Sequence, residues 1–149
     1  MPNDPAGRTT SIRVSGALFS AESKLLLLQR AANGEWELPG GELDFGEAPE
    51  AGLVRCFREA TDMDVAVDRP LGAWSTLERD GERERHTLTI GYTVTLSGAL
   101  VGVEVDRAEH AGFGWLARDE AASRITVPAL RDAVARAFAA LVQSRKRAK

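Results

Sequence analysis

The sequence predicts an α/β layered domain, a mixed β-sheet packed between two helices. Three observations predict it. Short segments rich in Val, Ile, Leu and Thr recur in both halves of the chain, as half-buried strands require. A helix-start signal, Pro49 with Glu47 and Glu50 beside it, follows a glycine-rich loop. From Val127 onward Leu130, Val134, Ala137, Phe138 and Leu141 recur at helical spacing.

Taken in order, Ile12 opens a strand with Val14, Gly16 and Leu18 on one face. The polar turn Ser20-Ala21-Glu22-Ser23 leads to Lys24–Arg30, whose four leucines read as the second arm of a hairpin. Asn33-Gly34 marks a turn, Trp36-Glu37-Leu38 a short strand, and Pro39 with Gly40 and Gly41 its end. A loop through Gly46 then reaches a first helix expected over Pro49–Thr61. Val65–Leu71 and Ala73–Leu77 read as strands, and Glu78–Arg85 as an exposed charged connection. Thr87–Leu96 is the clearest strand and Gly112–Leu116 a last short one. Asp119-Glu120 begins a polar turn before the terminal amphipathic helix, which carries Pro128 near its start.

Composition excludes several classes. The chain has 149 residues, 44% hydrophobic and 28% charged, which suits one ordinary globular domain spanning 1–149, with a core of about 12–142. No apolar run approaches the length of a membrane span, and the first residues, Met1 to Arg8, lack the pattern of a secretory leader, so a cytoplasmic location is expected. The single cysteine, Cys56, can close no internal disulfide, in keeping with a reducing compartment. Lys and Arg total 19 against 22 Asp and Glu, a net charge of −3, which argues against general nucleic-acid binding. Arg145, Lys146, Arg147 and Lys149 form a basic tail that reads as a solvated terminus.

Chemistry concentrates between Gly40 and Glu59. Glycines bend the backbone there, and carboxylates beside a helix N-terminus can hold a hard cation that neutralises a diphosphate. The spacing resembles the signature of the Nudix family: Gly, five residues, Glu, seven residues, then Arg-Glu-U-x-Glu-Glu-x-Gly-U, with U bulky and aliphatic. Gly41, Glu47 and Arg55 fall on the first landmarks, Phe57 and Met63 on the U positions, and Glu59 on the first of the paired glutamates. The lead-in Trp36-Glu37-Leu38-Pro39-Gly40-Gly41 is similar to that of small MutT-like members.

The resemblance implies a Nudix-type α/β/α sandwich that hydrolyses the diphosphate of a nucleoside diphosphate linked to a moiety X, or of a nucleoside triphosphate, with Mg²⁺ or Mn²⁺. It implies Glu59 and the Gly40 carbonyl as metal ligands and Arg55 as part of the catalytic machinery. Glu109, six residues before Trp115, stands where several members place an extra acidic ligand or base, with Asp106 close by in sequence. Gly41, Glu47, Trp74 and Tyr92 are candidates for the substrate, the two aromatics for a nucleobase. The expected partner is a small nucleotide-linked molecule; a homodimer stays open.

The departures are Cys56, Ala60 and Asp62, where the pattern has Glu, Glu and Gly. Positions 56, 59 and 60 share one helix face, so one carboxylate of three remains there. Asp62 turns to a different side and substitutes poorly. Cys56 with His110 is too small a set for zinc. Blander readings stand beside these: Cys56 as a small buried hydrophobe, Arg55 as a brace for Glu47 or Glu59, and both histidines as ordinary solvated or hydrogen-bonded side chains. A hydrolase weakened by its motif is therefore weighed against a silent nucleotide-binding or regulatory module.

Overall fold

The computed structural model describes residues 7–98 and 102–147. The leader reading of Met1–Ala6 and the last residue of the basic tail, Lys149, lie outside the described residues. Seven strands and three helices follow in the order β1 (Arg8–Ala17), β2 (Leu25–Arg30), β3 (Trp36–Glu37), β4 (Gly40–Glu42), α1 (Pro49–Thr61), β5 (Val65–Asp80), β6 (Arg83–Leu96), β7 (His110–Leu116), α2 (Arg118–Arg124) and α3 (Pro128–Arg147). The mixed α/β character and the first helix agree with the sequence reading. The strands divide into a four-stranded sheet, β4-β1-β6-β5, and a three-stranded sheet, β3-β2-β7.

The expected hairpin of β1 and β2 does not form as a ladder. Beyond the single bridge Phe19–Leu25 the two strands part into different sheets, β1 pairing with β4 and, in parallel, with β6. The reason lies in the leucines. Leu25, Leu26, Leu27 and Leu28 are all completely buried, Leu26 and Leu28 in one core and Leu25 and Leu27 in the other. A strand apolar on both faces belongs between two layers rather than at the edge of one, and each leucine contributes about 1.5–3 kcal/mol.

Two more boundaries shift. Glu78–Arg85 is not a loose connection: β5 and β6 pair without interruption to Asp80–Arg83, closing in a tight turn with Gly81 at φ 64°. Expected breaks within β5 appear instead as register shifts between Val67 and Arg69 and between Pro70 and Gly72. Asp119-Glu120 lies inside α2, whose first turn it supplies with negative charge, so a short third helix joins the two expected ones. The basic tail, too, belongs to the fold: Arg145–Arg147 are the last turn of α3, and Arg145 donates to the Ser23 hydroxyl and the Ala21 carbonyl.

Helix α1 explains itself locally. Pro49 sits in its first turn, and Leu53, Cys56, Phe57 and Ala60 form the buried face against the four-stranded sheet. Asp62 ends the helix in the left-handed region at φ 61°, its N–H bonded to the Arg58 carbonyl. This is the conformation a glycine would adopt most easily, so Asp62 performs the cap and is withdrawn from the metal question. Among the described residues no helix is long and apolar enough to cross a membrane.

Candidate active site

Two clefts adjoin, the smaller of them beside α1. The smaller, about 350 Å³, is walled by β4, by Arg55, Cys56, Glu59 and Ala60 of α1, and by Asp106, Glu109 and His110 from the approach to β7. Positions 56, 59 and 60 thus share the cleft, as the helical spacing predicts. The larger, about 390 Å³, opens between the two sheets over Thr87 and Thr89, with Trp74 in its lining. Arg13, Glu42, Glu109 and His110 line both, so the clefts are continuous.

The approach of β4 to β1 shapes the smaller cleft. A Cβ on Gly40 would stand 1.9 Å from the Val14 carbonyl oxygen, and one on Gly41 would stand 2.9 Å from Cys56 Sγ. Only glycine permits both contacts.

Arg55 is saturated by protein. Its Nε and one terminal nitrogen hold the two Glu47 oxygens at 2.8 Å each, the same terminal nitrogen reaches the Glu42 carbonyl at 2.9 Å, and the other grips both Glu59 oxygens at 3.0 and 3.1 Å. Glu47 also accepts the Asp44 backbone N–H at 3.0 Å. The Arg55 hydrogen bonds, then that N–H, hold the Glu47 carboxyl at about 2, while Glu47 and Glu59 push the Arg55 guanidinium upward. No donor of Arg55 and little of Glu47 is left for a ligand. In the structure Arg55 and Glu47 thus hold each other and the loop before α1.

Tyr92 lies on the other side of the sheet from the cleft. Alternation along β6 sends Thr87 and Thr89 to the inter-sheet cleft and Ile90, Tyr92 and Val94 to the core beneath α1, where Tyr92 is buried. Burial, with Glu50 nearby, raises its phenol. Trp74 remains in the cleft, lying over Gly91, where a Cβ would meet its ring at 2.7 Å.

Cys56 is the buried hydrophobe of the blander reading. Its Sγ lies 3.5 Å from the Glu42 carbonyl, and burial raises its thiol. Glu59 and Glu109 both line the small cleft; the Glu109 side chain makes no hydrogen bond among the described residues. Among the described residues no three His, Cys, Asp or Glu side chains are grouped to hold a metal ion. The donor set therefore does not fit the multi-carboxylate centre that the resemblance implies.

Arg13 and Glu37 were not singled out from sequence, and His110 was weighed there only as a zinc partner of Cys56 or an ordinary histidine. Glu37 gathers His110 Nε2 at 3.2 Å, Arg30 at 3.5 Å and Arg13 at 4.0 Å. His110 is buried, and its Nδ1 has no partner among the described residues. These residues come from four strands, so no linear spacing joins them. The only local hint was a charged Arg13 just before the buried Val14.

Residues 9–138 match the model of the NUDIX domain. The chain belongs to the Nudix family. A MutT-like protein of Streptomyces ambofaciens is 34% identical over 115 residues, 77% of this chain and 69% of that protein. An ADP-ribose pyrophosphatase of Methanocaldococcus jannaschii is 29% identical over 106 residues, 69% of this chain but only 61% of that protein. A Nudix hydrolase from Nitrosomonas europaea superposes with a TM-score of 0.73 at 15% identity, covering 89% of this chain and 90% of that one, a likeness of fold. Nudix hydrolases generally employ a divalent metal ion, and this Nudix chain presents one carboxylate where its relatives' signature has three.

Proposed function

We propose that this Nudix chain binds a nucleoside diphosphate linked to a moiety X across the two joined clefts and hydrolyses it slowly. The continuity of the clefts through Arg13, Glu42, Glu109 and His110 carries the reading, because it supports a diphosphate at the junction and X between the sheets. Arg13 is the cation at that junction, paired only loosely with Glu37 at 4.0 Å. The reaction is attack of water on phosphorus, giving a nucleoside monophosphate and a phosphorylated X. Glu109 is the candidate base, its carboxylate lying in the small cleft with no hydrogen-bond or ion-pair partner among the described residues. Mg²⁺ is the ion to test first.

Cys56, Ala60 and the Arg55 clasp on Glu59 favour a second reading, a Nudix module that binds without turnover. A panel of nucleoside triphosphates, nucleotide sugars, ADP-ribose and dinucleoside polyphosphates separates the two. Metal-dependent release of monophosphate, lost in Glu109→Gln, supports the hydrolase. Tight calorimetric binding with no product over hours supports the module, and binding of none of the panel overturns both.

A further inference from the structure

A further cleft lies away from the two already described and shares no lining residue with them. Its volume is about 740 Å³, and it is lined by Ala135, Phe138, Ala139, Leu141 and Val142 of α3 and by Ala117–Asp119 at the start of α2. Val142 is 51% exposed there although it is apolar. Around α3, at about 100° per residue, Asp132, Ala135, Ala139, Val142 and Lys146 fall within about 80° of one another. All five are exposed, while Leu130, Ala133, Val134 and Ala137 point the opposite way into the core. The strip thus begins with a carboxylate and ends with an ammonium. Neither Asp132 nor Lys146 makes an ion pair or a hydrogen bond among the described residues.

Such a strip is the complement of itself. Ala139 lies seven residues from Asp132 and seven from Lys146, so the two charges stand about 10 Å to either side of it along the helix axis. A second α3 laid antiparallel, with Ala139 against Ala139 on a two-fold axis, sets each Asp132 beside the Lys146 of the other copy. Alanine at the crossing lets the helices approach closely, and Val142 of each copy then lies beside Ala135 of the other. Other occupants fit the charges less well. A parallel pairing would set like charges together, and an acidic peptide that answers Arg118, Arg145 and Lys146 at one end would meet the Asp132 carboxylate at the other.

We propose that this face of α3 docks a second copy of the chain as an antiparallel two-fold dimer, held by the apolar seam and by two Asp132–Lys146 pairs between copies. Neither cleft of the proposed site includes a residue of the seam, so the dimer stands independently of the proposed reaction. Light scattering of the full chain during gel filtration, from about 1 to about 300 μM, tests it. One helix seam is a small interface, so the mass should rise from 16.1 kDa toward twice that with a midpoint on the order of 10 μM. Ala139→Arg, at an exposed helix position that arginine suits, should stay folded by circular dichroism and monomeric throughout. Asp132→Lys and Lys146→Glu should each weaken association about tenfold or more, since each sets like charges together at both ends of the seam. An equimolar mixture of the two variants should dimerise as well as the wild type, because every pair in the mixed dimer is again of opposite sign. Positions 132 and 146 of one helix are about 21 Å apart, so that recovery reports a pair between copies. A wild type that stays monomeric across the range overturns the proposal and leaves the groove to another partner. A dimer that survives Ala139→Arg, or a mixture no better than either variant alone, overturns it by placing the contact on another face or in another register.

Discussion

Arg55 grips Glu47 through two parallel hydrogen bonds of 2.8 Å each, tying the middle of α1 to the loop that precedes it. With the bond from Arg55 to the Glu42 carbonyl, the pair fastens the glycine-rich segment to α1 at two points. Since Glu59 hangs from the same guanidinium, that segment and the surviving carboxylate are set together.

The Glu47 carboxyl is held at about 2 in the fold against 4.5 as its ordinary value. A lowered carboxyl contributes stability above its ordinary value, and that contribution is lost as pH falls toward 2. Thermal unfolding of the wild type should therefore lose Tm steeply between pH 4.5 and 2. Glu47→Gln should start lower at pH 7 and fall less over that window. Parallel Tm curves for the two proteins would show that the pair is not linked to folding.

Glu59→Gln should reduce any metal-dependent turnover at least about 100-fold, because Glu59 is the sole acidic side chain that α1 brings to the cleft. The measurement is initial rate against Mg²⁺ concentration. Unchanged rates at saturating Mg²⁺ would remove Glu59 from the reaction.

Cys56→Glu combined with Ala60→Glu should raise turnover by more than the product of the single gains, since both positions face the cleft beside Glu59 and ligands of one site act as a unit. Both native side chains are buried, so the added carboxylates should lower Tm without an ion and regain it with Mg²⁺. A folded double variant that stays silent, with Tm indifferent to Mg²⁺, would favour the binding module.

Gly40→Ala should destabilise the protein by about 3 kcal/mol, as overpacking against rigid backbone does. The obstruction is the Val14 carbonyl, 1.9 Å from the added methyl carbon. Denaturant unfolding would measure it, and a change below about 0.5 kcal/mol would mean that β4 can move away from β1.

Removing Arg145–Lys149 should lower Tm, because Arg145 anchors α3 to the turn between β1 and β2 through Ser23 and Ala21. Affinity for a nucleotide should stay within error, since Arg145–Arg147 line neither cleft. A large, salt-sensitive loss of affinity would instead place phosphate contacts in the tail.

Local pattern was sufficient for α1, with Pro49 at its start, for the amphipathic α3, and for the strand around Thr87–Leu96. Helical spacing likewise placed Cys56, Glu59 and Ala60 on one face before any coordinates. These properties depend on residues within a few turns or pleats of each other, so a linear reading reaches them. It also reached the Nudix family, whose spacing is itself linear. Which sheet each strand joins lay beyond it: β1 reads as a hairpin partner of β2, yet its long ladder is with β6, some seventy-five residues away. The same holds for the site. Tyr92 and Thr89 are three residues apart and face opposite sides of one sheet, and only the layers above and below decide which side is core and which is cleft. Arg13, Glu37 and His110 meet because packing two sheets together brings β1 and β7 to the carboxylate carried by β3. Sequence determined the elements and the chemistry of the loop before α1; tertiary packing determined which side chains remain free to meet a ligand, since that depends on partners supplied from elsewhere in the chain.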